Sequence, residues 1–189
     1  MGSSNPWSSR FPVAVLALVF VAFASCSRGG EAGNDFGARA AQRAARFQEA
    51  LKVELTQAMA AGGPVEAIRV CSERAPLIAT QLSGDGLKVR RIGTRTRNIA
   101  NTPDEADASV LAALAQPGSA PLTRTGEDGI ARHYAPLRIA PLCLACHGKV
   151  EDLAVPVREQ LAALYPADQA TGYALDELRG AVVVEAAAR

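Results

Sequence analysis

The sequence predicts an α+β domain, in which two N-terminal helices precede short strands that are mixed with further helices. Three observations support this prediction: a helical periodicity near the N-terminus, short alternating or β-branched runs further along, and turn residues between them. The chain has 189 residues, enough for one domain with its own core after an N-terminal targeting segment is set aside.

The first two predicted helices lie on either side of a glycine pair. The helix over residues 36–61 has an apolar residue at every fourth position: Phe47, Leu51, Leu55 and Met59. Gly62 and Gly63 end this helix, and Pro64 suits the first turn of the next, predicted for residues 64–82.

One face of the second predicted helix is apolar and includes a cysteine. Its members are Ile68, Cys71, Ala75 and Ile78. This three- and four-residue spacing points the Cys71 side chain inward. Pro76 is expected to kink this helix or to begin a short successor.

The rest of the chain is predicted to form short elements. Strands are predicted at residues 87–92, 130–139 and 181–185, the second interrupted by Pro136. One helix starts at residues 102–105, and another spans residues 155–164. Residues 172–180 are predicted to form a loop.

A C-x-x-C-H run at residues 143–147 is the most specific motif of the chain. It is the attachment signature of c-type haem, in which the thiols of Cys143 and Cys146 add across the two vinyl groups. The adjacent imidazole of His147 then reaches the iron as an axial ligand. The motif therefore predicts one covalently bound haem c.

Two other chemistries use similar motifs. In thiol oxidoreductases the cysteine pair opens a long helix that lowers the thiol pKa, whereas here Gly148 follows His147 directly. A structural zinc site could take Cys71 or His133 as a fourth ligand, but such sites commonly bring a second closely spaced ligand pair. The sequence has no such pair, so haem is the favoured interpretation.

The N-terminus is typical of an exported protein. The apolar run at residues 11–23 follows Arg10 and has the length of a signal-peptide core. Small residues before Cys26 predict a lipoprotein signal peptide at residues 1–25 and lipidation of Cys26, with an ordinary secretory signal as the alternative. The resulting organisation is a flexible tether at residues 26–36 and a haem-binding domain at residues 37–189. We expect a lipid-anchored protein on the periplasmic side of a bacterial membrane.

Composition restricts the partners and isolates one cysteine. The chain has 20 basic and 19 acidic residues with no basic stripe, so no nucleic-acid partner is expected. In this interpretation Cys26 is lipidated, and Cys143 and Cys146 are bonded to the haem. Cys71 is then left alone in an oxidising compartment, where an unpaired thiol needs an explanation.

Several ordered motifs resemble one family. They are AIRVCS at 67–72, RIGT at 91–94 followed by Arg97 and Asn98, NTPD at 101–104, YAPL at 134–137, CLACHG at 143–148, YPADQATGY at 165–173 and RGAV at 179–182. Together they resemble the single-haem c-type proteins built on a PAS-like domain, formerly a domain of unknown function. These occur as free-standing secreted proteins and as extracytoplasmic sensor domains of histidine kinases and chemoreceptors. The resemblance implies a PAS-like fold with a small antiparallel sheet. It also implies iron held by the motif histidine and by a cysteine thiolate from the second helix, the place of Cys71.

From the residues alone, several groups remain candidates for the second axial position. They are Cys71, His133 and Met59, and the position could also stay open. The haem propionates need cationic or amide partners, and Arg97, in a cluster with Arg91 and Arg95, is a candidate. The alternative is that this cluster is a solvated strand edge.

The expected function is that of an extracytoplasmic haem c sensor of redox state or of a small gas. A thiolate ligand binds ferrous iron poorly, so it could leave on reduction and act as a switch. The alternative is a low-potential one-electron carrier of a periplasmic respiratory chain. Either role requires a partner protein, for signalling or for electron exchange. No acid–base constellation accompanies the motif, so an enzyme is not expected.

Overall fold

The computed structural model describes residues 28–187, with side chains described from residue 35 onward. Its helices are α1 (Arg28–Arg69), α2 (Ala75–Leu82), α3 (Glu105–Leu114), α4 (Leu144–His147) and α5 (Val155–Leu164). Its strands are β1 (Leu87–Gly93), β2 (Leu122–Thr125), β3 (Ala131–Arg138) and β4 (Leu178–Ala186). Short 3₁₀ turns lie at Ile99–Asn101, Pro141–Cys143 and Val150–Asp152. Within the described part of the chain, every helix is too short or too polar to cross a membrane.

The four strands form one antiparallel sheet in the order β1-β4-β3-β2, so the predicted α+β class with a small antiparallel sheet is confirmed. Both faces of β4 are covered. Val182 and Val184 pack against Phe47 of α1, whereas Val183 packs with Leu111 of α3 on the other face. A run of buried β-branched residues in β4 follows from this two-sided burial.

Helix α1 is two helical segments joined at a break. Gly63 has φ 70° and ψ −162°, a conformation that glycine adopts easily, and Pro64 follows in the first turn of the second segment. The predicted division at the glycine pair is therefore confirmed. The helix starts at Arg28, so residues 28–36 are helical where the sequence predicted a tether. The predicted signal peptide and Cys26 lie outside the described residues.

A single π-helical turn, Val70–Arg74, links α1 to α2 and contains Cys71. The Ala75 amide donates to the carbonyl of Val70, five residues back, instead of the usual four. Pro76 lacks an amide hydrogen, and its ring would crowd the carbonyl four residues before it. The wide turn accommodates this proline, which lies in the first turn of the short helix α2. Of the two expectations for Pro76, the short successor helix is therefore the one that the structure shows.

The structure differs from the predicted strands at three places. Strand β2 was not predicted. Strand β3 continues through Pro136, which pairs with Ala181 of β4. Since β2 ends opposite Tyr134, Pro136 faces no β2 residue that would need its amide hydrogen. Strand β4 begins at Leu178, which shortens the loop predicted for residues 172–180.

Candidate cofactor site

One cavity brings together five of the predicted site residues, since Arg97 lines it together with the four described next. Cys71 reaches it from the π-helical turn, and Cys143, Cys146 and His147 reach it from α4 and the turn before it. The space between the protein atoms, counted out to the open mouth, is about 1100 Å³. The apolar part of the wall includes Leu51, Leu55, Met59 and Ile68 of α1.

The C-x-x-C-H segment folds as one compact turn of helix. The helix α4 ends at Gly148, where a Cβ atom would lie 2.6 Å from the carbonyl oxygen of Leu144, so a larger residue would not fit. The next loop holds the turn from outside: the Gly172 amide donates to the Gly148 carbonyl at 2.7 Å, and the Tyr173 amide to the His147 carbonyl at 2.9 Å. These bonds fix the direction of the His147 side chain.

The His147 ring is held in the tautomer that binds metals. Its Nδ1 lies 2.7 Å from the carbonyl oxygen of Ala170, and because a carbonyl only accepts, Nδ1 must carry the hydrogen. Burial, followed by the nearby positive charges of Arg97 and Arg179, lowers the pKa of His147 well below its usual value. The ring is therefore neutral, with an unprotonated Nε2, as metal-bound histidines are.

A buried ion pair supports this arrangement. Nη2 of Arg97 lies 2.9 Å from Oδ2 of Asp168, with the two side chains only 6% and 11% exposed. The same nitrogen donates to the Cys146 carbonyl at 2.6 Å, and Oδ1 of Asp168 accepts from the Ala170 amide at 2.8 Å. Arg97, predicted as a propionate partner, lines the cavity, but its Nε and Nη2 donors bind Asp168 and backbone carbonyls. Sequence reasoning missed Asp168.

The thiols do not resemble a redox-active pair or a zinc site. Burial raises the pKa of Cys146 to about 11, whereas the attacking cysteine of an oxidoreductase has a lowered pKa. Cys71, Cys143 and Cys146 form no disulfide in the structure, and α4 is only one turn long. Over residues 35–187, no three His, Cys, Asp or Glu side chains are close enough together to hold a metal ion.

The other axial candidates occupy different places. Met59 lines the cavity. His133 does not: it lies on β3, is 6% exposed, and its Nδ1 is 2.9 Å from the Thr123 hydroxyl on β2. Burial lowers its pKa. The structure thus brings Cys71 and Met59, but not His133, to the cavity that contains the motif.

The residues present fit a haem. A haem is a flat apolar ring with two carboxylate side chains, two vinyl groups and an iron that accepts imidazole and sulfur ligands. The cavity offers apolar walls, two neighbouring thiols and a neutral imidazole. Within the described residues, its lining also contains four arginines, Arg91, Arg97, Arg138 and Arg179, and no aspartate or glutamate.

Fold and site together define a class: a small α+β domain with a C-x-x-C-H turn in the wall of a largely apolar cavity. The chain belongs to the Tll0287-like family, which matches residues 36–187. The resemblance seen in the sequence motifs is thereby confirmed.

The fold is also similar to a solved structure, that of the cyanobacterial heme-protein Tll0287. The identity is 24% over 61% of this chain and 70% of that chain, with a TM-score of 0.52. At this identity the likeness shows the fold. Comparison with curated proteins gives no match.

Proposed function

We propose that this chain is a c-type haem protein, with one haem joined through Cys143 and Cys146 and its iron bound by Nε2 of His147. The observation that carries the proposal is the meeting of both thiols and a neutral, oriented imidazole in one cavity. The similar solved protein is a heme-protein, which supports the same cofactor. A bound haem supplies a redox-active iron.

Cys71 is the proposed second axial ligand. Of the candidates considered from the sequence, Cys71 and Met59 face the cavity, whereas His133 bonds Thr123 in the sheet. The π-helical turn supports Cys71, because such turns are frequent at functional sites. A thiolate ligand lowers the reduction potential relative to a methionine.

The proposed role is sensing of redox state or of a small gas outside the cytoplasm. A bound haem would supply an iron whose bond to a thiolate is weaker in the reduced state, and Cys71 would be the ligand able to leave it. The five-residue turn that carries Cys71 is irregular, which allows two arrangements of this short segment without refolding α1. A signalling partner would recognise the difference, and no enzymatic step is part of the proposal.

Electron transfer is the second candidate function. Leu142 lines the cavity next to the first motif cysteine and is 37% exposed, so one side of the site is near the surface. An apolar, accessible edge is suited to docking a redox partner. A carrier would keep Cys71 bound in both oxidation states.

Membrane attachment is proposed from the sequence. Lipidation of Cys26 would anchor the domain on the periplasmic side of a bacterial membrane. Intact-mass analysis of the mature protein tests this: a chain that starts at Cys26 with added acyl mass supports the anchor. An unmodified N-terminus contradicts it.

The test of haem binding is secretion of the protein together with the haem-attachment machinery. We expect a coloured protein with the added mass of one haem, and Cys143→Ser with Cys146→Ser should abolish the covalent attachment. A colourless wild-type protein of unmodified mass overturns the proposal.

Cys71→Ala tests the second ligand. The ferric low-spin paramagnetic resonance signal should lose its thiolate character, whereas Met59→Leu should leave it intact. A sensor should bind carbon monoxide in the ferrous state by displacing Cys71. Failure to bind, together with fast reversible electron exchange, supports the carrier.

A further inference from the structure

The four arginines in the cavity wall have different partners. Arg97 is paired with Asp168. Arg138 donates to the carbonyl oxygens of Leu114, Gln116 and Asp176 and to the Ser119 hydroxyl. Arg91 and Arg179 each donate only to one backbone carbonyl: Arg91 to Cys71 at 3.3 Å, and Arg179 to Arg95 at 3.0 Å. Among residues 35–187, neither has a carboxylate within salt-bridge distance.

The two guanidinium groups are held in an unfavourable environment. Burial lowers the pKa of Arg91. Burial also lowers the pKa of Arg179, and the positive charges of Arg97 and Arg91 lower it further. A desolvated cation without a counter-ion is costly, so natural proteins retain such groups where an anion binds. The cavity therefore has an excess of positive charge.

A glycine pair in the sheet leaves space for the side chain of Arg179. Gly93, the last residue of β1, pairs with Gly180 of β4. A Cβ atom at Gly93 would lie 2.7 Å from Nη1 of Arg179, so glycine at this position lets the guanidinium group lie across the strand end. The Arg179 guanidinium also lies 5.5 Å from the centre of the Tyr173 ring. Its position is thus fixed by the surrounding protein.

We propose that Arg91 and Arg179 together bind the two propionate carboxylates of the haem. This inference rests on the proposed function, since it assigns the anionic end of that cofactor. Arg91, Arg138 and Arg179 all lack an acidic partner within residues 35–187, but Arg138 already donates to three carbonyls and one hydroxyl. Arg91 and Arg179 therefore remain for the two carboxylates. Arg97, in contrast, is a positioning residue, because Asp168 and two carbonyls already occupy its Nε and Nη2 donors.

Arg91 has a second consequence for the site. Its Nη2 also donates to the carbonyl of Cys71, the proposed distal ligand. A propionate bound to Arg91 is therefore linked through one side chain to the π-helical turn. Loss of this arginine should disturb the Cys71–iron bond as well as the charge around the haem.

The experiment compares haem-loaded proteins in which the two arginines are neutralised. The variants are Arg91→Gln, Arg179→Gln and the double variant, with Arg91→Lys and Arg179→Lys to retain the charge. Arg124→Gln is the matched control, because Arg124 is exposed on the edge strand β2 and does not line the cavity. The reduction potential is measured from pH 5 to 9, with and without inorganic phosphate.

Removal of a positive charge near the iron favours the ferric state. We expect a lower potential in the glutamine variants and a near-wild-type potential in the lysine variants and in Arg124→Gln. Without an arginine partner, a propionic acid has a higher pKa than in the wild-type protein. In the double variant, the reduction potential should therefore depend on pH over a range that lies at higher pH. The other titratable and charged side chains of the cavity wall are the same in every variant: Cys71, Arg97, Arg138, Cys143, Cys146, His147 and Tyr165. Arg91→Gln alone should also alter the ferric paramagnetic resonance signal.

An unchanged potential and pH profile in the double variant overturns the inference. So does a wild-type potential that moves with phosphate while the double variant does not respond, since the arginines would then face a soluble anion. Failure of the proposed function itself gives a different result, because the wild-type protein would contain no haem.

Discussion

Two neighbouring arginines on β1 face opposite sides of the sheet and differ in their partners. Arg90 forms a two-pronged pair with Asp107, at 2.7 and 3.1 Å, and Glu185 lies 3.4 Å away. Burial opposes its charge, but these carboxylates raise the pKa of Arg90 overall. Among residues 35–187, Arg91 donates only to the Cys71 carbonyl, and burial lowers the pKa of Arg91. Carboxylates of the fold thus neutralise the charge of Arg90, which has a structural role. The charge of Arg91 has no such partner within residues 35–187, and Arg91 lines the cavity.

The side chains around Arg90 form a continuous network of hydrogen bonds and ion pairs. Asp107 is 1% exposed and also accepts from the Tyr134 hydroxyl at 3.1 Å, which ties α3 to the sheet. Burial and the Asp107 charge raise the pKa of Tyr134 to about 12. Arg132 adds a bond to Glu185 at 3.2 Å. Within residues 35–187, no buried polar side-chain atom lacks a partner.

Removal of the central carboxylate should have the largest effect on stability. Asp107→Ala leaves Arg90 half-buried beside an apolar gap, and breaking a buried pair in this way costs about 3–5 kcal/mol. Urea unfolding measures the loss. Glu105→Ala, an exposed acid in the first turn of the same helix, should cost less than about 1 kcal/mol. If both variants lowered the unfolding free energy equally, Asp107 would have no special role in neutralising Arg90.

The Arg97–Asp168 pair lies on the cofactor side and should combine both kinds of effect. Asp168→Asn removes a charged partner, at a cost of about 2–3 kcal/mol in unfolding free energy. It also loosens Ala170, whose carbonyl orients His147, so the haem spectrum should change. Asp176→Asn is the control, since Asp176 is exposed and asparagine tolerates its φ of 62°. A destabilised Asp168→Asn protein with an unchanged spectrum would limit this pair to stability.

His133 should give the smallest effect, visible only in the pH dependence of stability. Burial lowers its folded-state pKa, so below pH ~6.5 the unfolded chain binds a proton that the folded one does not. The unfolding free energy should therefore fall as the pH decreases from 6.5. The fall ends once the folded-state pKa is passed. His133→Gln, which can still bond Thr123, should show a shallower fall, and parallel curves for the two proteins would contradict the assignment.

Local signals in the sequence were sufficient for much of the helical structure. Helix α5 begins at Val155 and ends at Leu164 as predicted, because a proline fits its first turn and Tyr165-Pro166 ends it. The break at Gly63 and the C-x-x-C-H motif were equally accessible, since each depends on residues close together in the chain. Cys71 was placed inward from its helical spacing alone, and it lines the cavity.

Features that depend on distant residues were not predictable. Strand β2 has three exposed residues out of four and exists because β3 offers it an edge. Asp168 lies 71 residues from Arg97, and no pattern links them. Asp107 has the position of an ordinary acid at a helix start, so its burial under Arg90 gives no signal in the sequence. The same limit applies to Arg91 and Arg179, whose lack of counter-charges appears only after folding.

The turn at Val70–Arg74 sets the rotational phase between two helices. A π-helical turn holds one residue more than an α-helical turn, and each residue of an α-helix advances the chain by about 100°. The extra residue therefore offsets the apolar face of α2 by roughly 100° from the phase that a continuous α-helix would give it. Ala75 and Ile78 reach the core in this phase. A variant of the gene that lost one codon from this turn would have to hold Pro76 inside an ordinary helical turn, where its ring meets a carbonyl, so the codon and the proline are expected to be kept or lost together.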